Sequence, residues 1–375
     1  MRESMTGREV SGGHRKGARG RGASAVLGAF ALLLLGGLPA VAQESEKPLR
    51  IGVLYLGPRK VPNWHCGPRD PRQAAPGTRA DAIDPGIMGL RDELEKLGYL
   101  EDRPENKGKP GRRFVLDIRQ GNLEAVKRFA QQFAQERVDL IVAVATSVVR
   151  AAQEATRANP IPILFTSISD PVGEGFVESL ARPGGSITGV STQLAQGSGK
   201  RVEVFKEMLP GARRFLTIYK PDFRPSLLSL PEMREAAARL GVVLVEKHIN
   251  NRAELQAVLA EVRRDAVDGI IIPPDAVVFS NADLLLEASL ERRVPTFGTL
   301  DVMAEWGALG AYGPSPYQAG RRVARYVDKI ANGARPGELP VEPLDPTFVV
   351  NLKAAACFGV AVPPVVLHQA DRVIR

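Results

Sequence analysis

Two cysteines and four histidines are all that this 375-residue chain offers as soft metal ligands. His14, His65, His248 and His368 show no metal-ligand spacing, and His65-Cys66 is an isolated pair, so no metal centre is expected. An oxidising compartment would permit a bridge between Cys66 and Cys357, but they lie near opposite ends and nothing in the sequence shows them close. Cys357, in "LKAAACFG", reads first as a small buried apolar residue, with a bridge to Cys66 as the alternative. Nucleotide and hydrolase motifs are missing too. The first strand ends "YLGPRK" without GxGxxG, and neither a Walker A sequence nor GxSxG occurs. "RPGGS" (182–186) is glycine-rich, but it follows a helical stretch and precedes a strand, the wrong context for a phosphate cradle. No Ser-His-Asp set is legible. These absences supply no nucleophile–base pair or metal set for an enzyme, and no cofactor is expected.

Charge of one sign is also scarce. Lys and Arg number 50 against 42 Asp and Glu, and residues 1–42 hold six of the former and two of the latter. Half of the formal +8 therefore sits in the first 42 residues, and the mild remainder makes no case for nucleic acid. The one long apolar run, Ala23–Leu38, is shorter than the roughly 20 residues that span a bilayer. It follows a basic leader (Arg2, Arg8, Arg15, Lys16, Arg19, Arg21) and precedes Pro39-Ala40-Val41-Ala42, whose small-x-small pattern suits signal peptidase. A signal peptide over 1–42, cleavage after Ala42 and a periplasmic mature chain are expected. No cysteine marks a lipid anchor there, and no adjacent arginine pair marks a twin-arginine signal.

What is present is a globular balance, 44% hydrophobic and 25% charged, at a length suited to two domains with a cleft between them. Apolar strands alternate with amphipathic helices. "LRIGVLYLG", "RRFVLDIRQ", "DLIVAVA" and "IPILFTSIS" read as strands, and "GIMGLRDELEKLGYL", "NLEAVKRFAQQFAQERV" and "TSVVRAAQEATRA" as helices, the second capped by Asn122. "SDPVGEGFVESLARPGGSITGVS" (169–191) mixes turns with a short helical stretch. The pattern then restarts with "RRFLTIYK", "LPEMREAAARLG", "VVLVEKHI", "NRAELQAVLAEVRRD", "VDGIIIPPD", "NADLLLEASLERR" and "VPTFGTLD". "GALGAYGPS" is a return strand, "YQAGRRVARYVDKIANG" a large helix, and "PPVVLHQADRVIR" a closing helix.

The fold class is α/β, with two doubly wound Rossmann-like lobes and a ligand cleft between them. The boundaries read as 50–190 plus 310–337 for the N-terminal lobe and 191–309 plus 338–375 for the C-terminal lobe. Residues 58–86, rich in Pro, Gly and Arg, break the rhythm as either a lid or a solvated insertion.

Ligands of such sheets bind beyond the carboxyl ends of strands, where helix N-termini offer N–H groups. Thr146 and Ser147 stand at such an end, as a plain cap or as partners of a carboxylate. Asp170-Pro171 is the same case one strand later, a helix cap or an acceptor for a ligand amine. Thr166, Ser167 and Ser169 are polar liners of that exit. Asp275 and Asp301 each follow a strand of the second lobe. Tyr219, Tyr312 and Tyr317 are candidate ring faces for an aromatic ligand. Trp306 reads as packing.

Several stretches carry a family resemblance: "GLRDELEKLGYLE", "VDLIVAVATSVVRAAQEAT", "IPILFTSISDPVGEGFVESLARPGGSITGVST", "FGTLD", "GALGAYGPSPYQAGRRVARYVDKIANGARPGELPVE" and "FVVNLKAAACFGVAVPPVVL". With these the chain resembles the periplasmic substrate-binding proteins of ABC importers, of the tryptophan/tyrosine type. The resemblance implies a type I periplasmic-binding fold and a small amino-acid-like ligand, aromatic or branched. It also implies delivery to an ABC permease in the inner membrane, and it places Asp170, Asp275 and Asp301 along the cleft. A monomer without nucleic-acid partners is expected. A sensor kinase as partner, or an exported α/β enzyme, are the alternatives. The chain departs from the family at the long 58–86 segment, at Ala145-Thr146 where many members have Gly-Thr, and at Pro273-Pro274-Asp275 where Pro-Thr-Asp is common.

Overall fold

The computed structural model describes residues 47–56 and 84–375. The leader with its expected cleavage site, and nearly all of the 58–86 segment with His65 and Cys66, lie outside the described residues.

The described chain opens with β1 (Leu49–Leu56), α1 (Pro85–Lys96), β2 (Tyr99–Glu101), β3 (Arg112–Gly121), α2 (Leu123–Glu136), β4 (Leu140–Val144), α3 (Thr146–Ala155), β5 (Ile163–Ile168) and β6 (Ile187–Ser191). Then come α4 (Ser198–Met208), β7 (Arg214–Tyr219), α5 (Arg224–Arg239), β8 (Val243–His248), α6 (Arg252–Ala260), β9 (Gly269–Ile271), α7 (Ala276–Ser280), α8 (Ala282–Glu291), β10 (Thr296–Gly298), α9 (Val302–Glu305) and β11 (Gly310–Gly313). The chain finishes with α10 (Pro316–Ala331), β12 (Glu342–Pro343), β13 (Thr347–Asn351), α11 (Leu352–Phe358), α12 (Pro364–Gln369) and β14 (Arg372–Ile374).

Two seven-stranded sheets result. The first runs β12-β6-β5-β4-β1-β3-β2 with every pair parallel. The second runs β14-β13-β11-β10-β9-β7-β8 and is parallel except where β13 meets β11. Helices cover both faces of each sheet, giving two separate apolar cores per lobe. That double cover explains the unbroken apolar strands: β1 lies between β3 and β4, and its Ile51, Val53 and Leu54 are fully buried.

Local rules set the helices. Asn122 Oδ1 accepts from the Ala125 N–H at 2.9 Å, so the expected cap of α2 is in place. Val126, Ala130 and Phe133 form its buried stripe. Helix α10 returns to the first lobe and packs against α1 at bare backbone. A side chain at Gly89 would overlap the Tyr317 carbonyl, and one at Gly320 the Gly86 carbonyl.

The chain crosses between lobes three times: after β6, after β11 and after β12. Because β11 pairs with β10, residues 310–313 belong to the second sheet. The short β12 pairs with β6, so residues 342–343 belong to the first. Both crossings therefore fall a few residues beyond the boundaries read from the sequence. Arg201 of α4 ties two of the crossings together. Its Nε donates to the Tyr312 carbonyl and one Nη to the Leu194 carbonyl, both at 2.8 Å. The guanidinium is buried, and desolvation lowers its pKa to about 10.

Four local expectations change. Residues 171–181 form turns rather than a helix: Gly173 and Gly175 interrupt the stretch, and the Phe176 N–H bonds back to the Pro171 carbonyl. Helix α5 starts at Arg224 rather than Leu230 and carries Pro231 inside it. Its first turn is held by tertiary bonds, Ser226 Oγ donating to the Pro274 carbonyl at 2.8 Å. The closing helix is only α12, after which Asp371 pins the tail: its Oδ2 accepts from the Phe348 N–H at 2.7 Å and β14 pairs with β13. Cys357 is half-buried and disulfide-bonded rather than a plain apolar filler.

Candidate functional site

Adjacent strands β4 and β5 end side by side, with Val144 opposite Thr166. Beyond β4 the N-cap position of α3 is Ala145, whose methyl group can accept no hydrogen bond. Its backbone is held at φ 88°, a conformation costly for any residue but glycine. Thr146 is the first residue of α3 rather than its cap, and it and Ser147 are half-buried on an open first turn. The start of α3 thus presents N–H groups and the positive end of the helix dipole with no side-chain acceptor at the cap.

Next to it, Thr166 is buried and its Oγ1 has no hydrogen-bond partner. Ser167 follows at φ 61°, a second strained position at the same edge. A cavity of about 30 Å³ brings Val144, Thr166 and Ser167 together with Asp84, Pro316 and, from the second lobe, Leu300. That is room for a few waters at most between these side chains.

The acids of the second lobe divide. Asp275 caps α7, its Oδ1 accepting from the N–H groups of Val277 at 2.9 Å and Val278 at 3.0 Å. Its Oδ2 accepts from the Lys220 N–H at 2.7 Å and lies 2.9 Å from Ser226 Oγ, whose single proton it shares with the Pro274 carbonyl. These bonds tie β7, α5 and α7 together through one carboxylate, which gives Asp275 a structural part. Asp301 follows Leu300 and is buried without capping α9 through its side chain. Burial raises its pKa, opposed by a hydrogen bond from Ser315 and by the Val302 N–H. It is a desolvated carboxyl with few donors.

The tyrosines turn elsewhere. Tyr219 is buried; its hydroxyl donates to Glu246 Oε2 at 2.7 Å and lies 2.8 Å from His248 Nε2. Desolvation and the Glu246 carboxylate push its pKa up to about 12. Tyr317 donates to Asp92 Oδ2 at 2.7 Å within the first lobe. Tyr312 packs on the second core and lends its carbonyl to Arg201. Trp306 is core, 6.0 Å from the Phe279 ring.

Asp170 caps a turn rather than a helix: its Oδ1 accepts from the Gly173 N–H at 2.8 Å. Its Oδ2 accepts from Arg224 of the second lobe, also at 2.8 Å. The Gly173 N–H, then Arg224, hold its pKa below the usual carboxylate range against a desolvation cost. Pro171 is buried beside it. A second interlobe cavity of about 320 Å³ is lined by Ser169, Asp170, Pro171, Gln193, Leu228 and Glu232, among others. The sequence reading missed Arg224 because it placed the start of α5 six residues late, and it missed Ser315, the N-cap of α10 that the Ser315-Pro316 pair marks. Among the described residues no group of three or more His, Cys, Asp or Glu side chains could hold a metal ion.

Two α/β lobes, three crossings and a polar cleft at the carboxyl ends of both sheets define a periplasmic-binding fold. The family model for ABC transporter substrate binding proteins matches residues 79–374, and the chain belongs to that family. A tyrosine-binding protein of Clostridioides difficile is 27% identical over 272 residues, 72% of this chain and 74% of that one. A crystal structure of a conserved domain protein from Vibrio cholerae is 28% identical, with a TM-score of 0.68, over 87% of this chain and all of the other. An ABC domain from Streptococcus pneumonia in complex with L-Trp shares the fold at 22% identity and a TM-score of 0.67, over 88% of this chain and all of that one. The family is a non-catalytic class of solute-binding receptors of ABC import systems, outside the cytoplasm.

Proposed function

We propose that the chain captures a small zwitterion, an aromatic or branched amino acid, between its lobes and delivers it to an inner-membrane ABC permease. One observation carries this reading: the start of α3 is left without a side-chain cap beside the unpartnered Thr166 hydroxyl, while across the cleft Asp301 is a buried acid with few donors. In this reading a ligand carboxylate takes the N–H groups and hydroxyls of Thr146 and Ser147, with Thr166 and Ser167 alongside. The ligand ammonium meets Asp301 and offsets its desolvation. Contacts to both lobes favour the closed form, and closure is what the permease reads. The names of two similar proteins, one tyrosine-binding and one solved with L-Trp, support an aromatic side chain. Export with cleavage after Ala42 completes the proposal.

The test is a thermal-shift screen of residues 43–375 against amino acids, nucleosides and small carboxylates. A ligand at about 100 times its Kd stabilises the folded chain by about 2.7 kcal/mol and lifts the midpoint visibly. L-tyrosine or L-tryptophan is the expected hit, followed by calorimetry for a one-to-one stoichiometry. A panel in which no amino acid shifts the midpoint overturns the zwitterion reading.

A further inference from the structure

The ion pair between Asp170 and Arg224 joins the turn after β5 in the first lobe to the first residue of α5 in the second. Three features build it. The Gly173 N–H fixes one carboxylate oxygen and aims the other across the cleft. Gly173 must also be bare: a side chain there would overlap Asp170 Oδ2 and come within 2.9 Å of Arg224 Nη2. Its φ is not in the left-handed region, so the space it leaves for the ion pair, rather than backbone freedom, is what a side chain would remove. On the other side, α5 starts with Arg224-Pro225, which sets the backbone from which the guanidinium projects. The pair borders the 320 Å³ interlobe cavity, where Val172 and Leu180 of the first lobe and Leu228 of the second are exposed apolar side chains.

We propose that Asp170 and Arg224 form a latch between the lobes, setting ligand affinity through closure while touching no ligand. The latch rests on the two-lobed capture reading above, but part of its test needs no ligand. Both carboxylate oxygens of Asp170 are occupied by protein donors, which a ligand amine would have to displace. The pair is partly exposed, so its strength is that of a surface ion pair and falls with added salt.

The experiment uses residues 43–375 as wild type, D170N, R224Q, the double variant D170N/R224Q, the charge swap D170R/R224D, and G173A. In D170N the amide oxygen still accepts from Gly173, so the turn survives and circular dichroism should be unchanged. Small-angle scattering of the ligand-free protein should show a larger radius of gyration in D170N, R224Q and G173A than in wild type, with the swap returning toward it. Calorimetric Kd for L-tyrosine or L-tryptophan should rise by about two- to fivefold in each single variant, and no further in the double. Wild-type affinity should weaken with NaCl and that of D170N should not. If R224Q matches wild type in both measurements while D170N loses affinity and the swap fails to restore it, Asp170 is a direct ligand contact and the latch is wrong. If no variant changes the ligand-free radius or its salt response, the latch is equally wrong, whichever amino acid binds.

Discussion

Helices α3 and α7 begin at comparable places, each just past the carboxyl end of a central strand of its own sheet, yet they begin in opposite ways. The start of α7 is closed by Asp275, which also gathers the Lys220 N–H and the Ser226 hydroxyl. The start of α3 is open, behind a strained alanine that can accept nothing. A side-chain cap is worth about 1 kcal/mol, and α3 forgoes it. The difference teaches that an acid beyond a strand end is not by itself a ligand group. What counts is whether the protein's own donors have already used it. Asp275 accepts from three backbone N–H groups and shares a hydroxyl, whereas Asp301 accepts from Ser315 and the Val302 N–H and stays under a desolvation cost that raises its pKa.

The largest effect expected from breaking the comparison is at the closed end. Asp275→Ala strands three backbone N–H groups and should cost about 3 kcal/mol in urea denaturation. A loss below about 1 kcal/mol would mean that water replaces the carboxylate and the hub is not structural.

Next comes Asp301→Asn. Loss of a charge-assisted contact to a ligand ammonium should weaken binding of L-tyrosine or L-tryptophan by at least about tenfold. Stability should move the other way. The folded carboxyl has its pKa raised by burial, so between the unfolded and folded values the native state holds more protons. Ligand-free wild type should therefore lose stability as pH rises through that window, and regain it as pH falls. Asn at 301 should flatten that slope and leave the ligand-free protein no less stable at neutral pH. A variant that is both less stable and unchanged in affinity would make Asp301 structural like Asp275.

The smallest effect is at the open end. Ala145→Gly relieves a positive φ and should stabilise the chain by up to about 1 kcal/mol, with affinity little changed. Destabilisation on thermal melting would show that the methyl group packs usefully.

Much of this was legible before any tertiary contact was known. The unbroken apolar strands announced sheets covered on both faces, and Asn122 announced the start of α2. Ala145 in place of a family glycine flagged a cap position whose φ is positive. Other points were not legible because their causes lie far away in the chain. Pro231 looked like a helix start because the bonds that hold the turn before it come from Pro274 and Asp275. Tyr219 looked like a free ring because its partners Glu246 and His248 sit on the neighbouring strand. The stretch after Asp170 looked helical because its residues tolerate a helix, whereas Gly173 is used for clearance beside Arg224.

The sequence by itself determined the main alternation of strands and helices, the two-lobed class and the set of polar residues at strand ends, because these follow from local periodicity and turn chemistry. Only the tertiary structure decided which of those polar residues already have protein donors. Asp275 is consumed by donors 49 and 55 residues away and Asp170 by one 54 residues away, and no local pattern records such a partner. A carboxylate's role is set by the donors that reach it, and those are chosen by the fold.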